Sequence, residues 1–438
     1  MKKKLIFCIS ILMCILICAS TVPFSAYIVD CSVDVTSRAV LVANLETDTF
    51  VYEKNSTGIR YLSYLTNIMT YIIARNAVTD IDTEVKIHKA VLDRIEEPDN
   101  TLDKYAGKTL TVRDLLHFII LTNGKDACYV LADYVCKGDI DEFVRLMNKK
   151  AVDLGCVETN FERPYNLMEK THYTTCQDMY KIIKCALNTP DYTDIASKCT
   201  YVPEGYDEKK CTITTTDSIL NSKSPYYFKH VKNSKYAIDS VARANIVSVS
   251  YYNNVRYACI IFGAQNENEH NAYTETKQLL SWAYLYLTNA QIFSETDVLS
   301  SVVVPAPWGN ATVNLVTGKD IMKTMPAEYD ENLITYEIND NIKVELPVFK
   351  GQNMGSAKVY YDGEYFDEVN IVSDASQGVG MLSDLSSFVS SMMKDTLNVE
   401  EEIKVEETVA ETVSETQKPK KTNSKKTAET QPSTQAGQ

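Results

Sequence analysis

Two tryptophans, five histidines and 15 glycines are all that 438 residues contain of those types. His88, His117, His172, His230 and His270 fall at no metal-ligand spacing, and no Cys-x-x-Cys pair occurs, so no metal site and no cofactor are expected. Positive charge is also short. Lysine and arginine total 44 against 58 acidic residues, giving a net charge of −14. Phosphate neutralisation needs clustered basic side chains, so a nucleic-acid partner is not expected. An anionic membrane surface would repel most of such a chain. No long low-complexity tract dominates.

What the sequence does have is apolar and aromatic material. Hydrophobic residues make up 45% and tyrosines number 28, enough for at least one sizeable core. The length allows about two domains plus tails. Residues 1–26 read as an export signal. Lys2, Lys3 and Lys4 precede an apolar run, Leu5 to Ala19, that is short for a bilayer span, and small residues follow at Ser20, Ser25 and Ala26. An uncleaved N-terminal anchor is the other reading, and either places the chain outside the cytoplasm. Ile17 before Cys18 is too bulky for a lipoprotein cleavage site. Of the 12 cysteines, Cys8, Cys14 and Cys18 lie in the signal, which leaves an odd number. Cys128, Cys156, Cys176 and Cys185 read mostly as small core residues, with room for one disulfide.

Along the chain, residues 39–54 pattern as a hairpin turning at Glu46-Thr47-Asp48. Ser63 stands as a cap before a helix over 64–77. A helix is expected over 109–136, capped by Thr111 with Asp114 at N3, another over 140–154 stopping at Gly155, and a fourth from Thr174 with Gln177 at N3. Alternation over 241–251 and 256–264 around Asn253-Asn254 gives a second hairpin, and a helix over 275–289 closes the domain. Strands, a helical cluster, then strands and a helix make an α+β domain over 27–289. Residues 290–375 read as a small all-β domain. Residues 376–395 hold an amphipathic helix with Met381, Leu382, Leu385, Phe388, Val389, Met392 and Met393 on one face. Peripheral membrane contact through Met381–Met393 and packing on the β domain both remain open for it. Residues 396–438 are charged, too polar to fold, and expected to be disordered.

Several stretches, in order, resemble the serine D-alanyl-D-alanine carboxypeptidases, the low-molecular-mass penicillin-binding proteins. "YLTNIMT" (64–70) is similar to the family's "SLTKIMT". "GKTLTVRDLLHFIILTNGKDACYVLADYV" (107–135), "FVRLMNKKAVDLGCVETNF" (143–161), "THYTTCQDM" (171–179) and "PVFKGQNMG" (347–355) resemble further family segments. The resemblance covers about 36–375. It implies a penicillin-binding, β-lactamase-like transpeptidase domain, an antiparallel sheet with a helical cluster, followed by a small β domain. It also implies serine acyl transfer on peptidoglycan stem peptides, built on S-x-x-K, S-x-N and K-T-G around one cleft.

The sequence departs from that pattern at each motif. Tyr64 stands at the nucleophile position and Asn67 at the lysine position. A phenol with an ordinary pKa near 10 is a poor nucleophile or base, and an amide accepts no proton. The S-x-N site reads Asn123-Gly124-Lys125. Lys235-Tyr236-Ala237 matches K-T-G, with Lys232-Asn233-Ser234 as a rival three residues earlier. Lys235 is retained to hold a substrate carboxylate. Tyr236 puts a ring where a small hydroxyl belongs, as a plug or as a floor for a new ligand. Ala237 adds a methyl where glycine allows close approach. Ser63 as a fallback nucleophile would have Thr66 in the base position. His172 reads as structural. No catalytic residue set is intact, so the expectation is an exported pseudoenzyme that binds a peptidoglycan stem peptide or a cell-wall protein. A weakly active carboxypeptidase with shifted residues and a purely structural surface module are the alternatives.

Overall fold

Six consecutive buried residues, Ala39–Asn44, form β1. The strand is buried on both faces because helices cover both sides of its sheet. β2 (Thr49–Lys54) flanks it. β3 (Val231–Asp239), β4 (Arg243–Tyr252) and β5 (Val255–Ala264) complete an antiparallel sheet in the order β2-β1-β5-β4-β3. β1 pairs with β5 from Ala39↔Phe262 to Asn44↔Tyr257. The β4–β5 turn carries Asn253 and Asn254 at φ 47° and 62°, the left-handed pair that a tight hairpin requires and asparagine tolerates. This is a computed structural model, and it describes residues 29–95, 101–165, 169–265, 270–306, 309–339 and 344–377. The export signal, the 376–395 helix beyond Gln377 and the charged tail lie outside the described residues.

Period-two alternation gives the sheet two apolar faces. Leu41, Val247, Ala258 and Ile260 face a helical cluster. Val40, Val42, Ile246 and Ile261 face the other way, against Leu279, Leu280 and Trp282 of a C-terminal helix. The cluster holds α1 (Thr66–Ala77), α2 (Val112–Leu121), α3 (Lys125–Val135), α4 (Ile140–Asp153) and α5 (Cys176–Leu187); α6 (Asn271–Tyr286) covers the second face. This is an α+β domain, an antiparallel sheet between a helical cluster and a C-terminal helix.

Local capping explains the helix bounds and corrects some expectations. Thr111 Oγ1 accepts from Asp114 N at 3.1 Å while Asp114 Oδ2 accepts from Thr111 N at 2.7 Å, the expected reciprocal box. The helix expected over 109–136 is two helices, because Asn123 takes φ +62° and breaks the hydrogen-bond ladder. α5 is capped one residue later than expected. Thr175 Oγ1 accepts from Asp178 N, and Gln177 Nε2 instead donates to Glu53 Oε1 at 2.9 Å. Ser63 caps nothing: it lies in a 3₁₀ turn, Ser63–Leu65, and the residue before α1 is Leu65, with no side-chain cap. Among the described residues no cysteine is in a disulfide, and Cys128, Cys156 and Cys176 are buried.

The chain continues as an all-β domain. β6 (Leu287–Phe293) pairs with β9 (Ile321–Pro326). β7 (Val298–Ala306) pairs with β8 (Gly309–Val316), and β10 (Ile334–Ile338) with β11 (Asn353–Tyr361). β12 (Glu364–Ser373) meets β8 at Leu315↔Ser373 and Val316↔Val372. By compactness the residues form two units that interleave in sequence. One takes the chain to Asp297 with Lys319–Asp340 and Gly355–Asn370; the other takes Val298–Gly318, Asn341–Met354 and the chain from Ile371.

Candidate functional site

The motif positions gather where the 3₁₀ turn before α1, the α2–α3 junction and the edge strand β3 meet. Ser63 has φ +50° and is 1% exposed, and its Oγ has no hydrogen-bond partner among the described residues. The backbone under it is pinned. Thr66 Oγ1 donates to Ser63 O at 2.9 Å, and His172 Nε2 sits 2.7 Å from the same hydroxyl. His172 Nδ1 accepts from Glu162 N at 3.1 Å, so the proton of the neutral ring lies on Nε2 and points at Thr66. Burial pushes the His172 pKa down to about 4, which keeps the ring neutral.

Asn67 is the second residue of α1 and is fully buried. Its Nδ2 donates to Ile119 O at 3.0 Å, while its Oδ1 has no hydrogen-bond partner among the described residues. Lys235 enters from β3, 2% exposed, and its Nζ donates to Ile119 O at 2.9 Å and Ile120 O at 2.7 Å. Those carbonyls lie in the last turn of α2, the negative end of the helix dipole, where an ammonium is favoured. Burial still pushes the Lys235 pKa down to about 7. Near it, the Asp217 carboxyl is pushed up to about 6 by burial, against the pull of the lysine. Asp217 sits in no motif, and nothing in the sequence marks it.

Asn123 faces the sheet edge. Its Nδ2 lies 3.3 Å from Tyr236 O and 3.4 Å from Thr216 Oγ1. It therefore occupies an outward carbonyl of β3, one of the groups an edge strand offers to an added chain. Lys125 opens α3 and is half-buried; Tyr64 is half-buried with its ring against the helical core.

Tyr236 does not fill this site. Lys235 and Ala237 point to the helical cluster, so by alternation Tyr236 points to the opposite face of the sheet. Its ring stacks on Tyr273 of α6 at 4.7 Å between centroids and 26° between planes. Ala237 is fully buried opposite Asn245. The rival triplet leaves the site as well: Lys232 Nζ bonds Lys229 O, and Asn233 Nδ2 bonds Thr193 O at 2.8 Å.

The structure thus brings Asn67 and Lys235 together on one carbonyl and Asn123 onto β3. A cavity of about 870 Å³ opens elsewhere, near Ala77, His88 and Tyr134, and no motif residue lines it. Among the described residues no group of histidine, cysteine or carboxylate side chains is arranged to hold a metal ion, and no helix is long and apolar enough to cross a membrane.

Residues 26–266 match the family described as D-alanyl-D-alanine carboxypeptidase, and residues 291–377 match the C-terminal domain of penicillin-binding protein 5. The D-alanyl-D-alanine carboxypeptidase DacF of Bacillus subtilis is 25% identical over 338 residues, 76% of this chain and 83% of that protein. The carboxypeptidase DacC of Escherichia coli is 24% identical over 271 residues, 60% of this chain and 62% of that one. Penicillin-binding protein 5 of Haemophilus influenzae shares the fold with a TM-score of 0.66 at 20% identity, over 79% of this chain and 98% of that one.

Proposed function

This chain belongs to the D-alanyl-D-alanine carboxypeptidase family, and within it we propose a member that has lost acyl transfer and acts outside the cytoplasm as a binding or scaffold protein for peptidoglycan stem peptides. One observation carries the proposal. Ser63 Oγ has no partner among the described residues, so no base stands within hydrogen-bond reach of it. The amide at Asn67 and the ammonium of Lys235 are both directed to Ile119 O. Loss of nucleophile and base together removes nearly all acyl transfer. Export by residues 1–26 and membrane contact through Met381–Met393 belong to the same proposal.

Titration calorimetry of a D-Ala-D-Ala-terminated stem peptide against the full chain tests it. Binding without D-alanine release is the expected result. Release at a rate proportional to protein concentration contradicts it.

One observation favours the weakly active alternative: a lysine with a pKa near 7 is chemically suited to general-base work. Its Nζ, however, donates to two backbone carbonyls, Ile119 O and Ile120 O. D-alanine release abolished by Ser63→Ala would establish that alternative.

A further inference from the structure

A pocket of about 250 Å³ opens at one end of the sheet, beside the two-residue ladder in which Tyr61 pairs with Tyr173. Arg38, Arg60 and Lys170 all line it, and among the described residues no carboxylate does. Elsewhere arginines are neutralised: Arg75 pairs with Asp191, Arg113 with Asp82 and Arg256 with Glu46, each at 2.7 Å. Among the described residues no carboxylate pairs with any of the three pocket cations. Three like charges converge here in a chain whose net charge is −14.

The pocket is also fixed in shape. Arg60 Nη1 donates to Ile59 O at 2.7 Å and Nη2 to Arg38 O at 3.1 Å, while its Nε is buried with no partner among the described residues. Arg38 lies across Gly263, whose φ is +68°. A Cβ there would stand 2.7 Å from Arg38 Cδ, so only glycine lets the arginine stem lie in this groove. Gathered cations repel one another, and an oxyanion in their midst removes that repulsion. Guanidinium groups and phenols suit the planar or tetrahedral oxygens of a carboxylate or phosphate.

We infer that this pocket, lined by Arg38, Arg60 and Lys170 over Tyr61 and Tyr173, is a binding site for a small oxyanion, carboxylate or phosphate. It does not depend on the proposed loss of acyl transfer.

Calorimetry with inorganic phosphate and with citrate, on the full chain at low ionic strength, tests the inference. At least one should bind, and added sodium chloride should weaken it, because exposed charges are screened. Arg38→Ala with Lys170→Ala should weaken binding by about tenfold or more. Lys232→Ala, at an exposed lysine outside the pocket, should leave it unchanged. Lys170→Glu, a single exposed change, guards against a double variant that does not fold, and should also weaken binding. Phosphate alone binding points to a phosphate ester as the natural ligand, and citrate alone to a carboxylate. Binding of neither anion, or equal binding by wild type and both pocket variants, overturns the inference.

Discussion

Asn67 Nδ2 and Lys235 Nζ converge on one acceptor, the carbonyl oxygen of Ile119, at 3.0 and 2.9 Å. The first side chain comes from α1 and the second from the edge strand β3. Both reach the last turn of α2, so the three elements that frame the motif positions are tied together at a single atom. A carbonyl oxygen has two lone pairs and accommodates both donors. The contact also explains how a lysine is held dry: its charge meets two helix-end carbonyls rather than solvent.

A shared acceptor predicts coupling. Asn67→Ala leaves Ile119 O with Lys235, and Lys235→Met leaves it with Asn67, so each single change removes one of two donors. Only the double variant strips the carbonyl. Denaturant unfolding should give a double-mutant coupling of roughly 0.5–3 kcal/mol. Strict additivity would mean the two side chains do not share this acceptor.

Lys235 should also leave a pH signature. Its folded pKa, about 7, lies below the value near 10.4 of an unfolded lysine. Between those values the unfolded chain binds the extra proton, so this group makes stability rise as pH rises above 7. The Lys235→Met variant should lack that rise between about pH 7 and 8.5. Equal slopes in wild type and variant would contradict the burial of the ammonium.

His172 predicts the opposite end of the scale. Its folded pKa, about 4, lies below the ordinary value near 6.5. Its contribution is present above pH 6.5 and is lost as pH falls toward 4, because protonation expels Glu162 N–H from Nδ1. Midpoints of unfolding measured across that range should fall less steeply for His172→Gln than for wild type. Identical profiles would count against a neutral, structural imidazole.

Ser63 holds a left-handed φ and a buried hydroxyl without a partner among the described residues. Ser63→Gly relieves both at once. The strain and the unpaired hydroxyl cost about 1 kcal/mol or more each, against about 0.5–1 kcal/mol for the extra freedom glycine gains on unfolding. A small rise in melting temperature is expected. A marked fall would show that the hydroxyl has a bonding partner in solution.

Much of this was legible in the sequence. The Asn253-Asn254 hairpin, the Thr111–Asp114 cap and the stop near Gly155 follow from local chemistry, and the ordered family segments fixed where Tyr64 and Asn67 stand. β3 was not legible as a strand. Asn233, Ser234 and Lys235 are buried there, and polar residues facing both layers erase the alternation that marks a strand. That same gap hid the direction of Tyr236, since its face follows from register alone. The break at Asn123 was missed because the flanking apolar positions continue one helical pattern, and only a left-handed φ at that residue separates the two helices.

The central claim is that no acyl-enzyme forms. Incubation of the full chain with a fluorescent penicillin, followed by denaturing electrophoresis, reads this directly. The account predicts no heat-stable fluorescent band at any protein concentration, with an active carboxypeptidase of the family labelled in parallel. A covalent adduct, above all one lost in Ser63→Ala, would contradict it.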